Sequence, residues 1–480
     1  MKKRISRSLQ ENNEYMHERL GIGISFDVGS RTFAYFDKDV VLYYVNGLCD
    51  TEVIVELFSM VGETLNEEIS IKEFLEKKLP HQQLESTDKF DEAIDQLLSG
   101  LVLVFVEDVP ECFIIDVRKY PGRQPEEPDT EKVIRGARDG FTENIIENAA
   151  LIRRRLRDEK LRHEIMQIGE RSKTDVCISY LNDVADPKLV KLIKQKLSKI
   201  STDGIPMADR AIVEYILNQS FHPFPLARYT ERPDVAAVHL LEGHVLIIVD
   251  TSPSVIILPT TFFHHMQHAE EYRETPMVGA YLRWIRMFGI IASIVLLPLW
   301  YLYVREPDLL PKAIDFIGPN KDSNLPIILQ LFIAELGIDL LRMASIHTPT
   351  PLATAMGLIA AVLIGEIAIK VGLFVSEVIL YIAVVTIGNY ATPSYELSVA
   401  NKLVRLVLLL LVFFFNLPGF MLGITIVILY LVSIRNLNTP YLWPFIPFHP
   451  KAFFHILIRK AQPYSFFRPS ITNPQNQQKG

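Results

Sequence analysis

The sequence predicts an α/β N-terminal half built of two subdomains, followed by an all-α polytopic membrane domain. Three observations lead there. The 480 residues exceed the usual length of one domain. The chain is charged and mixed up to about residue 287, then strongly apolar from Phe288 to Ile434. The first half also alternates β-rich runs with helical periodicity. The expected divisions are a basic tail over 1–20, a first α/β subdomain over 21–120 and a second over 121–286. A membrane domain of about six hydrophobic helical segments then covers 287–436, and a cytoplasmic interfacial tail rich in Pro, aromatic and basic residues covers 437–480.

The start, MKKRISRSLQENNEYMHERL, is basic with no apolar segment behind it, so it does not read as a secretory signal. In the first subdomain, SFDVGSRTFAYF and DVVLYYVNG read as strands or a hairpin and TEVIVELFSMV as a helix. LVLVFV (101–106) and CFIIDV (112–117) read as strands around an Asp-Val-Pro turn. YPGRQPEEPDTE (120–131) breaks the pattern as a linker or long loop.

A long helix is expected over FTENIIENAALIRRRLRDEKLRHEIMQIGERS, because Ile145, Ala149, Ile152 and Leu156 share one face. TDVCISYL reads as a strand. Asp186 then caps a helix that has Pro187 at its first position. VAAVHLL, GHVLIIVD and SVIILP read as strands, the first two joined by a tight turn at Glu242 and Gly243.

Charge and motifs narrow the chemistry. The net charge is −7 and no basic domain stands apart, which argues against nucleic acid as a partner. Cys49, Cys112 and Cys177 are far apart and read as reduced thiols. FDVGSRTF mimics a phosphate loop, but a turn in a hairpin explains it without a second phosphate motif. His264 and His268 have the i,i+4 spacing of a metal pair with His265 between them, yet no third ligand is evident. No P-loop, GxSxG or dinucleotide fingerprint occurs. The expectation is therefore no catalytic residue, no metal, no cofactor and no enzyme. Arg153, Arg154, Arg155 and Arg157 form a run that reads either as a solvated helix face or as a subunit or partner interface.

In the apolar half, MFGIIASIVLLPLWYLYV follows Arg283 and Arg286 and ends in aromatics, as an in-to-out span does. LPIILQLFIAELGIDLL (325–341) carries Glu335 and Asp339, which share a face and repel. PTPLATAMGLIAAVLIGEIAIKVGLF (349–374) carries Glu366 and Lys370 at pairing distance along a helix. Its Gly357, Gly365 and Gly372 offer faces for close helix packing. SEVILYIAVVTIGNYAT is the fourth segment, and the fifth and sixth are separated by Asn-Leu-Pro-Gly at 416–419. The last two read as a hairpin of short helices or as one kinked span. Six segments put both termini, with Arg342, Lys402, Arg405 and Arg435, on the cytoplasmic side. Charges at membrane depth face a protein interior or a wet cavity. Two readings stay open: a structural ion pair that fixes helix packing, and a cation-preferring path lined by the acids.

FTENIIENAALIRRRLRD, IGERSKTDVCISYL, TERPDVAAVHLLEGHVLIIVD and ATPSYELSVANKLVRL together resemble the GerA-type spore germination A-subunit family, over nearly the whole chain. The wording of 349–374 is most similar to the stage V sporulation AF branch of that family. The resemblance implies a multi-pass protein of the spore inner membrane with its N-terminal domain cytoplasmic. It implies a homo-oligomeric, pentameric cation channel acting in germination, with monovalent cations, lipids and other germination membrane proteins as partners. Glu335, Asp339, Glu366 and Lys370 are then the pore or gate residues. The rival expectation is a non-conducting scaffold that organises other germination proteins through the arginine face.

Overall fold

This computed structural model describes residues 3–35, 38–56, 84–119, 131, 133–219, 221–309, 316–320, 323–347, 366–458, 461, 463 and 467–479. Two compact units result. One comprises Met1–Ser220, Ala227–Thr260 and Lys460–Gly480, and the other Phe221–Leu226 and Thr261–Arg459. The expected tail 437–480 is thus divided, its last part belonging with the α/β residues.

The α/β unit begins with helix α1 (Leu9–Leu20), capped by the Ser8 hydroxyl and closed by Gly21 at φ 66°. Strands β1 (Val28–Tyr35) and β2 (Lys38–Val45) form the expected hairpin, followed by β3 (Leu84–Thr87), α2 (Phe90–Leu98), β4 (Val102–Val106) and β5 (Cys112–Ile115). These five strands form an antiparallel sheet in the order β1-β2-β4-β5-β3. Helix α3 (Ile145–Arg155) opens a second series: β6 (Leu161–Ile168), β7 (Thr174–Leu181), α4 (Pro187–Leu197), α5 (Ala208–Leu217), β8 (Arg228–Thr230), α6 (Pro233–Leu241), β9 (Val245–Val249) and β10 (Val255–Leu258). Its antiparallel sheet has the order β6-β7-β9-β10-β8.

The second sheet repeats the first. Helix α6 lies 143 residues beyond α2, β9 the same distance beyond β4 and β10 beyond β5 (Phe90 to Pro233, Val102 to Val245, Cys112 to Val255). The registers agree: Val104 faces Phe113, and Ile247 faces Ile256. So do the turns, since Asp108 and Thr251 both take positive φ, 66° and 67°. The hydrogen bonds agree too. The Thr87 hydroxyl accepts from Lys89 N–H at 3.3 Å, and the Thr230 hydroxyl from Arg232 N–H at 3.2 Å. Asn12 brackets Ser6 with two bonds, of 2.9 and 2.6 Å, and Asn148 brackets Thr142 with two of 2.7 and 2.6 Å. Ile5 N–H reaches Asp88 O at 2.9 Å, and Phe141 N–H reaches Glu231 O at 2.8 Å. One architecture is used twice.

Three local expectations are corrected. The long helix from 141 stops at Arg155, and β6 follows it. Past the helix end the Arg153 guanidinium binds the carbonyls of Asp158 (2.8 Å) and Leu161 (3.1 Å), which holds the chain in a turn into β6. VAAVHLL is helix α6, because Thr230, Pro233 and Asp234 supply a helix start that outweighs its β-branched residues. The Glu242 and Gly243 turn therefore joins a helix to β9, with Gly243 at φ 88°. The face expected on α3 is present, with Ile145, Ala149, Ile152 and Leu156 all buried.

The helical unit contains α7 (Pro276–Arg305), α8 (Ile327–His347), α9 (Ser376–Tyr390), α10 (Tyr395–Ser433) and the short α11 (Pro450–Leu457). Helix α7 starts well before the apolar run, with Pro276 at its first turn. Leu297, Trp300, Leu331, Val378, Ile382 and Leu409 form its core. At the α7–α9 crossing a Cβ on Gly388 would stand 2.4 Å from Gly289 O, so only glycine allows the approach. The run α10 breaks at Asn416 (φ 51°, ψ −134°). Beyond it a Cβ on Gly419 would meet Leu411 O, and Gly423 abuts Leu408 and Leu411, so the chain doubles back. The fifth and sixth segments are a helical hairpin. The helix Pro276–Arg305 is long and apolar enough to cross a membrane, as is the run Tyr395–Ser433 when the two halves of the hairpin are taken together. Of the third segment, residues 349–365, with Gly357 and Gly365, lie outside the described residues.

The duplicated asparagines give a test of the repeat. Asn12→Ala and Asn148→Ala each remove two hydrogen bonds that hold the start of a helix, and each is expected to cost about 1–3 kcal/mol. Denaturant midpoints of the full chain measure this, and similar losses are expected at both positions.

Candidate functional site

Helix α8 carries Glu335 and Asp339 one turn apart, and the first half of α10 carries Lys402 and Arg405. An acid inside an apolar bundle needs a cation, because an unpaired charge there costs several kcal/mol. The structure supplies two. Arg405 donates through Nε to Glu335 Oε1 at 2.9 Å and through Nη2 to Oε2 at 3.0 Å, a bidentate fork. Lys402 Nζ lies 2.9 Å from Glu335 Oε2 and 2.6 Å from Asp339 Oδ2. It also donates to the Glu335 carbonyl at 3.0 Å. Arg405 Nη1 donates to the carbonyl of Ser293 on α7, which ties in a third helix.

The cluster is charge-balanced and closed to water on most sides. Glu335 and Arg405 are buried, and Lys402 nearly so. Asp339 is the open end, its side chain 46% exposed. The expected repulsion between Glu335 and Asp339 is absent because Lys402 bridges them. One turn before Arg405, Asn401 is buried with neither side-chain polar atom hydrogen-bonded. Such an amide suits a water or a polar ligand.

The other predicted residues fall elsewhere. Glu366 and Lys370 pair at 3.4 Å, with side chains 67% and 76% exposed. An exposed i,i+4 pair of this kind contributes little by itself. Gly372 takes φ 73° at the end of that turn, and its carbonyl accepts from Asn324 N–H at 3.3 Å. The two acid pairs are not brought together by any described contact. Lys402 and Arg405 were placed by sequence only as cytoplasmic-side charges. The signal that could have found them is the three-residue spacing, which puts two cations on one face of an apolar helix, beside a helix with two acids to neutralise.

The arginine run is divided. Arg153 is buried and donates to Asp27 Oδ2 at 2.8 Å. Arg155 forks onto Asp139 (2.6 and 2.5 Å), and Arg157 reaches Ser99 Oγ at 3.1 Å. Arg154 and Arg157 are the exposed members. Asp27, the acid of the apparent phosphate loop, is thus consumed by a buried ion pair. Burial pushes its pKa up, but Arg153 by charge and hydrogen bond, with His163 and Ser25, together outweigh this, and the carboxyl sits below its usual range. His163 stands 3.9 Å from the same carboxylate, with its Nδ1 2.7 Å from Ser179 Oγ. Its burial lowers the imidazole pKa to about 4. Burial likewise pushes the Cys177 thiol up, so it is no nucleophile, and all three cysteines are free. His264 caps its own turn by accepting from Thr261 N–H at 3.2 Å. Among the described residues, no group of three or more His, Cys, Asp or Glu could hold a metal ion.

With the geometry in view, comparison with known proteins gives consistent results. A family model described as Bacillus/Clostridium GerA spore germination protein matches residues 14–471. The chain is 57% identical over 476 residues to the stage V sporulation protein AF of Bacillus subtilis (strain 168), covering 98% of this chain and 97% of that one. It is 30% identical over 387 residues to the uncharacterized membrane protein YfkQ of the same bacterium, covering 80% and 75%. The solved N-terminal domain of the A subunit of the Bacillus megaterium spore germinant receptor GerK3 is 27% identical, covers 55% of this chain and 98% of that one, and has a TM-score of 0.43.

Two outcomes follow from the buried charges. Arg405→Leu leaves Glu335 without its fork and is expected to destabilise the detergent-solubilised chain by about 3–5 kcal/mol. Adding Glu335→Leu, which keeps Lys402 on Asp339, should recover most of that loss in thermal melts. For His163 the folded pKa of about 4 lies below the unfolded 6.5. Its contribution is therefore complete above pH 6.5 and is lost as the pH falls towards 4. His163→Gln should flatten the decline in denaturant midpoint between pH 7 and 5. Some slope remains, because burial also lowers His244 to about 4.

Proposed function

The chain belongs to the GerA family of spore germination proteins, and from that premise we propose that it is a membrane subunit of a homo-oligomeric cation channel. The channel is pentameric, lies in the spore inner membrane with both termini in the cytoplasm, and takes part in ion release during germination. The observation that carries this reading is the four-residue charge cluster held among apolar helices. A membrane protein among the relatives, and two helical runs of spanning length and composition, support the placement in the bilayer. Membership of a spore germination family and a stage V sporulation relative support the setting.

The cluster acts as a gate in its closed form. Both carboxylates are engaged by the protein's own cations, so a mobile cation finds no free acid. Opening slides α8 against α10, and Glu335 and Asp339 exchange Lys402 and Arg405 for passing monovalent ions. The buried Asn401 amide gives such a path a polar wall. In this reading Glu366 and Lys370 flank the path on the third segment.

Purified full chain, sized for oligomeric mass and recorded in a planar bilayer, tests the reading. The expected result is a defined oligomer with cation current, lowered several-fold by Glu366→Gln and altered in gating by Asp339→Asn. A silent oligomer favours the second reading, a scaffold for other germination proteins. That role would fall to Arg154 and Arg157, the exposed members of the run. Reversal of both exposed arginines to Glu would then abolish co-purification of partners.

A further inference from the structure

We propose that one end of the second sheet, at the turns after β7 and before β9, is a docking site for the chain's own C-terminal segment, Arg468–Gln478, which lies there as a separable strap. The comparison of the two repeats carries this. In the first repeat the chain runs on from β5 and closes one end of its own sheet, just past β2. Lys119 N–H donates to Leu48 O at 2.9 Å, Asp50 N–H donates to Val117 O at 2.8 Å, and Arg118 lies against Gly100. Val184 is the counterpart of Leu48, for each donates its N–H back to the last residue of a hairpin, Leu181 at 3.1 Å and Val45 at 3.2 Å. In the second repeat the chain after β10 leaves for the helical unit at Thr261, so no adjacent residue reaches Val184. Its carbonyl instead accepts from Gln475 N–H at 2.9 Å. Gly243, the counterpart of Gly100, faces Thr472 and Pro474 where Gly100 faces Arg118.

The attachment combines one main-chain bond, side-chain donors on turn and helix-end carbonyls, and a small apolar anchor. Gln475 Nε2 donates to Asn182 O at 3.0 Å and to Ala185 O at 2.7 Å. The Thr472 hydroxyl donates to Glu242 O at 2.7 Å, and Arg468 Nε donates to Leu241 O at 2.7 Å. Ile471, Thr472 and Pro474 are buried, while Asn473 and Gln475 to Gln478 are exposed. Three buried side chains hold the strap loosely enough to be replaced, and the tether to the rest of the chain supplies the effective concentration.

The test uses a fluorescent peptide of residues 467–480 with two full-length preparations, one intact and one stopped after residue 466. Saturable binding to the stopped chain, at least tenfold weaker to the intact chain and lost in an Ile471→Asp, Gln475→Pro peptide, is the expected result. A folded stopped chain that ignores the peptide overturns the proposal, and so does equal binding to both chains. If the stopped chain does not fold, hydrogen exchange of the intact chain carrying the same two substitutions decides. The proposal expects protection over 468–478 to fall at least tenfold while β6 to β10 keep theirs. Unchanged protection, or loss across the whole second sheet, overturns it.

Discussion

A carboxylate cannot sit in an apolar helical bundle unless a cation meets it there, and the helical unit is arranged around that requirement. Glu335 receives two cations from one helix, and one of them also holds a carbonyl of a third. The fork of Arg405 fixes α8 in rotation as well as in depth, because both oxygens must face both nitrogens. The close contact of Gly289 with Gly388 then fixes α7 against α9. Apolar packing alone would tolerate sliding. Directional charge pairing does not, and so the bundle has few arrangements to choose from, a property suited to a two-state element.

The same requirement joins the two α/β repeats. Asp27 stands before β1 in the first repeat, and Arg153 lies in the last turn of α3 in the second. Arg19 and Glu159 add a half-buried pair across the same junction at 2.5 Å. A duplicated architecture supplies two similar bodies, and these unlike charges give them one register. Arg153 also takes two carbonyls beyond its own helix, so the residue that joins the repeats also shapes the turn into β6.

What the sequence made legible was what is encoded locally. The Asp186 cap with Pro187, the runs of β4, β5, β9 and β10, and the change from mixed to apolar composition all depend on neighbours a few residues apart. Helix α6 was misread because VAAVHLL is apolar on all sides and has no period to show. Strand β6 was misread because LRHEIMQI lies at a sheet edge, where charged residues are tolerated and alternation is weak. The charge cluster was half legible: two acids four residues apart in an apolar run announce a need for cations. Which cations answer is settled some 70 residues away. The repeat could have been seen, since GLVLVFVEDVP and GHVLIIVDTSP carry the same glycine, hydrophobic run and proline in the same places.

The position of Gln475 on Val184 has a consequence for the order in which the molecule is made. The first repeat has all its strands once residue 119 has been synthesised. The second has its five strands by Leu258, but the carbonyl at Val184 must wait for residues near the end of the chain. Every apolar helix of the other unit leaves the ribosome in between. One α/β body can therefore close early, while its twin waits at the Val184 carbonyl for a segment that follows the apolar helices.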